Sequence, residues 1–133
     1  MIFVDSDALI GIMVPQDTHH VKANQTFDVL ASKNERLITS WESIDEVATK
    51  LSMFFGKDTA DKFFSFLGKS QMKIIYLDEL LGMETIHIFK KQTSKNVSLT
   101  DYANVAICRS LGITHVFSFD PHYSQNNLKL LQN

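Results

Sequence analysis

Short apolar segments alternate with helical patterns along almost the whole chain, and this alternation constrains the fold most strongly. Four strand-like segments cover residues 2–5, 36–40, 73–77 and 115–119, and residues 128–131 are a candidate fifth. Strands that alternate with helices form β-α-β units, whose strands run parallel. We therefore expect an α/β fold of three layers, α/β/α, around a mostly parallel sheet of four or five strands.

Apolar residues at 3.6-residue spacing indicate the helices between these strands. The predicted helices are residues 18–32, 41–55, 58–68, 78–92 and 99–111. In the third of these, Asp58 is the expected N-cap and Gly68 the expected stop. A chain of 133 residues has the usual length of one domain, so residues 1–133 are predicted to form a single domain.

The composition supports a sizeable core, with 44% hydrophobic residues and ten Phe. Core packing is the default expectation for a Phe-rich segment, and an exposed dimer or partner surface is the alternative. That segment contains Phe54, Phe55, Phe63, Phe64 and Phe66. The single Cys, Cys108, lies in an apolar helical pattern, so we expect a buried, reduced thiol.

Several features favour a cytoplasmic protein. The first apolar run meets Asp5 too early for a signal peptide, and no apolar run approaches the ~20 residues of a membrane helix. The net charge of −2 gives no general attraction to nucleic acid, and Lys90, Lys91 and Lys95 are the nearest approach to a basic patch. A site that binds divalent cations would change the local sign.

Acidic side chains occur where the predicted strands end. Asp5 and Asp120 directly follow apolar strands, Asp101 lies in the first turn of a helix, and Glu46 lies in the helix after the second strand. Converging carboxylates repel one another unless a cation holds them. Oxygen ligands favour Mg²⁺ or Mn²⁺, and no His pairing or Cys cluster has zinc spacing.

Each acid also has a purely structural interpretation. Asp5 or Asp120 can simply open a turn. Asp101 follows Ser98 by three residues, which is the spacing of a capping box. Glu42 and Glu46 share one helix face, and periodicity does not choose between them.

Charge balance bears on the number of cations. Four carboxylates carry about −4, so one Mg²⁺ leaves a site that repels a phosphodiester. Two divalent ions would neutralise the site and clamp the attacking and leaving oxygens of an in-line displacement. The hypothesis is that one ion binds firmly and the second arrives with substrate.

Four motifs resemble those of PIN-domain nucleases, and they occur along the chain in the same order as in that family. They are Asp-Ser-Asp-Ala-Leu at 5–9, Thr39-Ser40 with Glu46-Val47 and Leu51, Ser-Leu-Thr-Asp-Tyr at 98–102 with Ala103 and Ala106, and Val-Phe-Ser-Phe-Asp-Pro-His-Tyr at 116–123. The chain length is similar to that of VapC-type toxins of toxin–antitoxin pairs. The resemblance covers nearly the whole chain and favours Glu46 over Glu42.

The resemblance implies a metal-dependent ribonuclease that cleaves RNA with a metal-activated water. Its catalytic residues and its Mg²⁺ or Mn²⁺ ligands would be Asp5, Glu46, Asp101 and Asp120. An antitoxin partner and a homodimer are also implied by the resemblance alone.

Further polar residues would support the ligands. Ser118 would hold Asp120 or a water in place, Ser6 would act similarly, and Asn104 lies one helical turn after Asp101. Asp7 stands where the family more often has an uncharged polar residue, and it either adds a ligand or faces solvent.

Two alternatives remain open. Asp5-Ser6-Asp7 after an apolar strand also resembles haloacid-dehalogenase-type phosphatases, in which Asp5 would be the nucleophile and Asp7 a general acid. The chain could instead be a non-catalytic module that binds RNA or protein. The sequence identifies no aromatic stacking platform and no base-reading residue.

Overall fold

The computed structural model describes residues 1–131, and it confirms the predicted α/β fold. Its sheet has five strands in the order β3-β2-β1-β4-β5, and all neighbouring strands are parallel. The strands are β1 (Ile2–Val4), β2 (Leu37–Ser40), β3 (Lys73–Ile75), β4 (His115–Phe117) and β5 (Lys129–Leu130). The sheet is thus wholly parallel, where the sequence predicted a mostly parallel one.

Seven helices connect and flank these strands in the described part of the chain. They are α1 (Ser6–Met13), α2 (His20–Ser32), α3 (Trp41–Phe55), α4 (Lys57–Ser70), α5 (Glu79–Lys91), α6 (Leu99–Leu111) and α7 (His122–Gln125). Helices α3 and α6 have the predicted bounds. The sequence did not predict α1, because its eight residues are apolar on most sides, or α7, because four residues show no periodicity.

The predicted ends of α4 were wrong. The N-cap is Gly56, whose φ of +93° an L side chain rarely adopts, and Asp58 lies inside the first turn. The helix continues through Gly68 to Ser70 and ends at Gln71, which has a left-handed backbone. Propensity places a stop at a glycine, but packing of the helix against the core extends it.

Alternate residues of β1 face opposite sides of the sheet and define two cores. Ile2 and Val4 pack with residues of α1 to α4 on one face, whereas Phe3 packs with α5 and α6 on the other. Cys108 is buried in the second core as a free thiol, and burial raises its pKa to about 12. The three-layer arrangement is therefore confirmed.

The Phe-rich segment is divided between core and surface. Phe63 is fully buried and Phe66 packs partly against the core. Phe54, Phe55 and Phe64 are exposed, so the default expectation of core packing was wrong for these three. In the part of the chain that the structure describes, no helix is long and apolar enough to span a membrane.

The carboxyl ends of the strands meet at one edge of the sheet, where parallel α/β folds bind ligands. Asp5 follows β1, Trp41 follows β2, Tyr76 follows β3 and Ser118 follows β4, each without an intervening residue. The register pairs Val4 with Phe117 and Ser40 with Ile75. The residues after these strand ends therefore lie side by side along this edge, which we call the carboxyl edge.

Candidate active site

Asp5 lies at the centre of the carboxyl edge and is almost completely buried. Its Oδ1 accepts a hydrogen bond from Asn104 Nδ2 at 3.2 Å, and its Oδ2 accepts one from Ser118 Oγ at 3.1 Å. Burial, and secondarily the negative charge of Asp7, raise the Asp5 pKa to about 8. The Asp5 carboxyl group therefore carries a proton at neutral pH, and a cation that binds to it would displace that proton.

Asp7 shares Ser118 with Asp5. Asp7 Oδ2 lies 3.1 Å from Ser118 Oγ and accepts from the Phe119 backbone N–H at 2.8 Å. The Ser118 hydroxyl has one hydrogen, so it can donate to only one of the two carboxylates. Its oxygen also accepts a hydrogen bond from the Asp120 N–H. A proton retained on one carboxyl group satisfies all three contacts, and burial raises the Asp7 pKa as well. Asp7 thus braces the strand end that carries Asp120 and does not face solvent.

Asn104 joins the elements around Asp5. It is fully buried, and its Oδ1 accepts from Ser40 Oγ at 2.7 Å. Its Nδ2 lies 3.1 Å from Ser43 Oγ and 3.2 Å from the Tyr123 hydroxyl. This single amide links α6 to β1, α3 and α7. Sequence analysis did not identify Ser43 or Tyr123 as site residues, because each is an ordinary helix residue until α6 packs beside it.

Asp101, Asp120 and His122 form a group whose potential ligand atoms all lie within 4.8 Å of one another. Asp101 Oδ2 accepts from the Ser98 N–H at 2.9 Å and completes a capping box with that residue. Its Oδ1 lies 3.8 Å from His122 Nε2. Asp120 Oδ1 accepts from the His122 N–H at 3.0 Å. Each carboxylate therefore has one oxygen held by backbone and the other available for a ligand.

His122 is the candidate site residue that the sequence did not single out. It is buried, and neither ring nitrogen has a hydrogen-bond partner among the described residues. Burial lowers its pKa, although the charges of Asp101 and Asp120 partly oppose this effect. A neutral imidazole is chemically able to bind a metal ion. Its position two residues after Asp120, beyond a predicted strand end, was the available signal.

Glu46 and Glu42 lie one helical turn apart on α3. Glu46 is partly exposed and forms an ion pair with Lys50 at 3.2 Å. No hydrogen bond or ion pair among residues 1–131 joins Glu46 to the other three acids. Glu42 Oε1 is buried and has no hydrogen-bond partner within that range, and burial raises the Glu42 pKa. The assignment of Glu46 as a ligand stays a prediction.

Ser6 lies directly beside Asp5 as the first residue of α1 and is buried. Its backbone N–H hydrogen-bonds the Asp5 carboxylate and lowers the Asp5 pKa, although burial outweighs this effect. The predicted supporting residues Ser6, Asp7, Asn104 and Ser118 thus all lie next to Asp5.

Comparison with solved structures shows which proteins share this fold. VapC20 of Mycobacterium tuberculosis, described as a sarcin–ricin-loop-cleaving toxin, superposes with a TM-score of 0.86 at 20% identity, over 96% of each chain. FitAcB of Neisseria gonorrhoeae gives 0.74 at 15% identity, over 99% of this chain and 97% of that one. VapBC2 of Rickettsia felis, bound to a DNA fragment from its promoter, gives 0.70 at 15% identity, over 98% of each chain.

No protein-family model matches the chain, and no curated protein matches it in sequence. The structural likeness covers nearly the full length of each neighbour and confirms the fold of VapC-type PIN domains.

Proposed function

We propose that this protein is a divalent-metal-dependent ribonuclease that hydrolyses RNA phosphodiester bonds. The observation that carries the proposal is the group of Asp101, Asp120 and His122, with free ligand atoms, beside the buried carboxyl group of Asp5. RNA is favoured as the substrate because the VapC20 chain, which shares the fold over 96% of its length, cleaves the sarcin–ricin loop.

The residues present fit a divalent cation. Asp101 Oδ1, the second Asp120 oxygen and one His122 nitrogen would hold it, and Glu46 would join through a water. The buried His122 ring, whose nitrogens have no hydrogen-bond partner among the described residues, would gain one as a metal ligand. Because Mn²⁺ accepts an imidazole nitrogen more readily than Mg²⁺, which is bound through oxygen, this donor set favours Mn²⁺ over Mg²⁺, where sequence reasoning from oxygen ligands alone treated them equally.

The protein's own groups would position the reaction. A bound divalent cation supplies Lewis-acid chemistry that neutralises phosphate charge and makes water a better nucleophile. Asn104 and Ser118 fix the two oxygens of Asp5, and Asp7 holds Ser118. Asp5 lies beside the three-residue group, and we propose it as a further ligand of the cation. Because burial raises the Asp5 pKa to about 8 in the metal-free protein, cation binding there would release a proton.

The protein would act as the toxin of a toxin–antitoxin pair, in the cytoplasm and as a homodimer. The assignment as a toxin is supported by the likeness to VapC20, which is itself a toxin. Two exposed apolar surfaces are available for an antitoxin and a second copy. One surface contains Met53, Phe54, Phe55 and Phe64, and the other contains Leu80, Met83 and Phe89.

The test is cleavage of a panel of RNAs, including a sarcin–ricin-loop hairpin, in Mg²⁺, Mn²⁺ or EDTA. We expect cleavage with metal, none in EDTA, and strong loss in Asp5→Asn and Asp101→Asn. Asp58→Asn, an exposed acid on α4, is the matched control and should cut normally. Metal-independent cleavage, or full activity in both site variants, would overturn the proposal. Turnover of p-nitrophenyl phosphate with intact RNA would indicate a phosphatase.

A further inference from the structure

A pair of exposed aromatic side chains stands on the carboxyl edge beside the acids. The rings of Trp41 and Tyr76 are stacked, with centroids 5.7 Å apart and an interplanar angle of 22°. Trp41 is 46% exposed and Tyr76 is 62% exposed. Two large rings that stack on each other while about half exposed present a flat aromatic face on which a ligand could stack.

The strand order fixes how far this aromatic pair lies from the acids. Trp41 follows β2 and Tyr76 follows β3, one and two strands from the end of β1, where Asp5 lies. Adjacent strands are about 4.8 Å apart. The backbone of the pair is therefore roughly 5 to 10 Å from Asp5 along the same edge, and a nucleic acid strand held at the acids would reach it.

A cavity of about 250 Å³ lies next to the residues that follow the pair in sequence, Glu42 and Leu77, which line it. The rest of its lining comes from α5 and α6, namely Gly82, Thr85, Ile86, Leu99, Thr100 and Ala103. Small-molecule sites usually measure 300–1,000 Å³, so this cavity suits a single base and not a whole nucleotide.

Glu42 provides a polar feature in this mostly apolar space. Its Oε1 is buried and has no hydrogen-bond partner among residues 1–131. A carboxylate accepts hydrogen bonds and repels phosphate, so it fits the N–H groups of a base edge and not the RNA backbone. Guanine presents two adjacent N–H donors, N1–H and N2–H₂, on its Watson–Crick edge.

We propose that Trp41, Tyr76 and Glu42 bind one unpaired nucleobase, preferentially guanine, of the RNA strand next to the scissile phosphate. The base stacks on the aromatic pair, and Glu42 accepts its N–H groups. Stacking on aromatic side chains is how proteins hold splayed RNA bases. The inference rests on the proposed ribonuclease function and adds a source of sequence preference to it.

Kinetics test the stacking. Trp41→Ala and Tyr76→Ala should raise KM for a short unstructured RNA in Mn²⁺ about 5- to 100-fold, from the strength of one base–aromatic stack, with kcat little changed. Trp41→Phe should restore most of the affinity. Val29→Ala is the control, because Val29 is 41% exposed near the end of α2, which leads into the start of β2 and so lies at the opposite edge of the sheet. Unchanged KM in both alanine variants would overturn the proposal.

Fluorescence tests direct contact, since Trp41 is the only tryptophan. A guanine-containing oligoribonucleotide should quench its emission in a saturable way, and an abasic oligonucleotide of equal length should not. Emission that follows protein concentration and ignores RNA would assign the surface to a second copy of the chain and overturn the proposal.

Base substitution tests Glu42. Wild-type protein should prefer guanine to inosine, which lacks the N2 amino group, and Glu42→Ala should abolish that preference while leaving Trp41 quenching intact. Equal preference for guanine in both proteins would show that Glu42 does not contact the base.

If wild-type protein cuts RNA and the aromatic variants behave like it, only this inference fails. If wild-type protein cuts no RNA, the proposed function fails, and quenching still decides whether a base binds.

Discussion

The two halves of the carboxyl edge are built differently. The half at β1 and β4 is buried, and backbone or side-chain hydrogen bonds hold Asp5, Asp7, Asp101 and Asp120. The half at β2 and β3 carries Trp41 and Tyr76, which are exposed and held by stacking. Chemistry requires charged groups fixed to within fractions of an ångström, whereas stacking on a ring tolerates lateral movement. If the proposed functions hold, we expect the acidic half to set the rate of cleavage and the aromatic half to set the affinity for RNA.

The strongest test of this contrast removes charge from the acidic half. Asp101→Asn and Asp120→Asn should each lower kcat about a thousandfold, since a metal site contributes several kcal/mol of charge stabilisation. Asparagine keeps a side-chain oxygen for the hydrogen bonds from Ser98 and His122, so thermal unfolding should show little change. Single-turnover RNA cleavage measures the effect, and a normal kcat in both variants would contradict the division.

In the proposed metal site, His122 would determine which cation the acidic half prefers. His122→Asn removes the imidazole ligand, so Mn²⁺ should bind about 10- to 100-fold more weakly, with a smaller change for Mg²⁺. Isothermal titration of each metal into wild-type and variant protein measures both affinities. His87→Asn is a suitable control, because His87 is an exposed residue of α5. Equal losses for the two metals would show that His122 does not select the ion.

The pH dependence of stability reports the cost of the buried charge. The folded Asp5 pKa of about 8 lies above its ordinary value of 3.8, so between these values the folded state binds a proton that the unfolded state has lost. Stability in EDTA should therefore fall as pH rises from about 4 to about 8. Asp5→Asn should fall less, and its melting temperature should exceed that of wild type by several degrees near pH 8.

Calorimetry across this pH range, with Asp58→Asn as the control, checks that expectation. Asp58 is exposed, so its variant should follow the wild-type curve. If the melting temperatures of wild type and Asp5→Asn change with pH in parallel, ionisation of Asp5 does not destabilise the folded protein.

The smallest expected effect is the coupling between the two halves. If one half sets kcat and the other sets KM, the losses in Trp41→Ala and Asp101→Asn should add in the double variant to within about 0.5 kcal/mol. A double-mutant cycle on kcat/KM measures this coupling. A larger coupling energy would show that base binding also positions the scissile phosphate, so that the two halves of the carboxyl edge do not act independently.

Local sequence was enough for some elements and not for others. Helix α3 was predicted to the residue because its apolar positions Ile44, Val47 and Leu51 recur with helical period and are all buried. Helix α1 was missed because it has little polar face to define a period. The Ser98–Asp101 capping box was recognised from spacing alone. An element is predictable from sequence when the interactions that form it join residues a few positions apart.

The chain's own pattern determined the parallel sheet and the placement of Asp5 directly after a strand, since both depend on neighbours a few residues away. The predicted end of the fourth strand was wrong, because β4 ends at Phe117 and Asp120 is the third residue after it. Only the tertiary structure decided the rest. Asn104 reaches Asp5 across 99 positions of sequence, and Ser118 reaches it across 113. Likewise, Trp41 meets Tyr76 only because β2 pairs with β3. Local periodicity carries no information about such contacts, because strand order and helix packing create them.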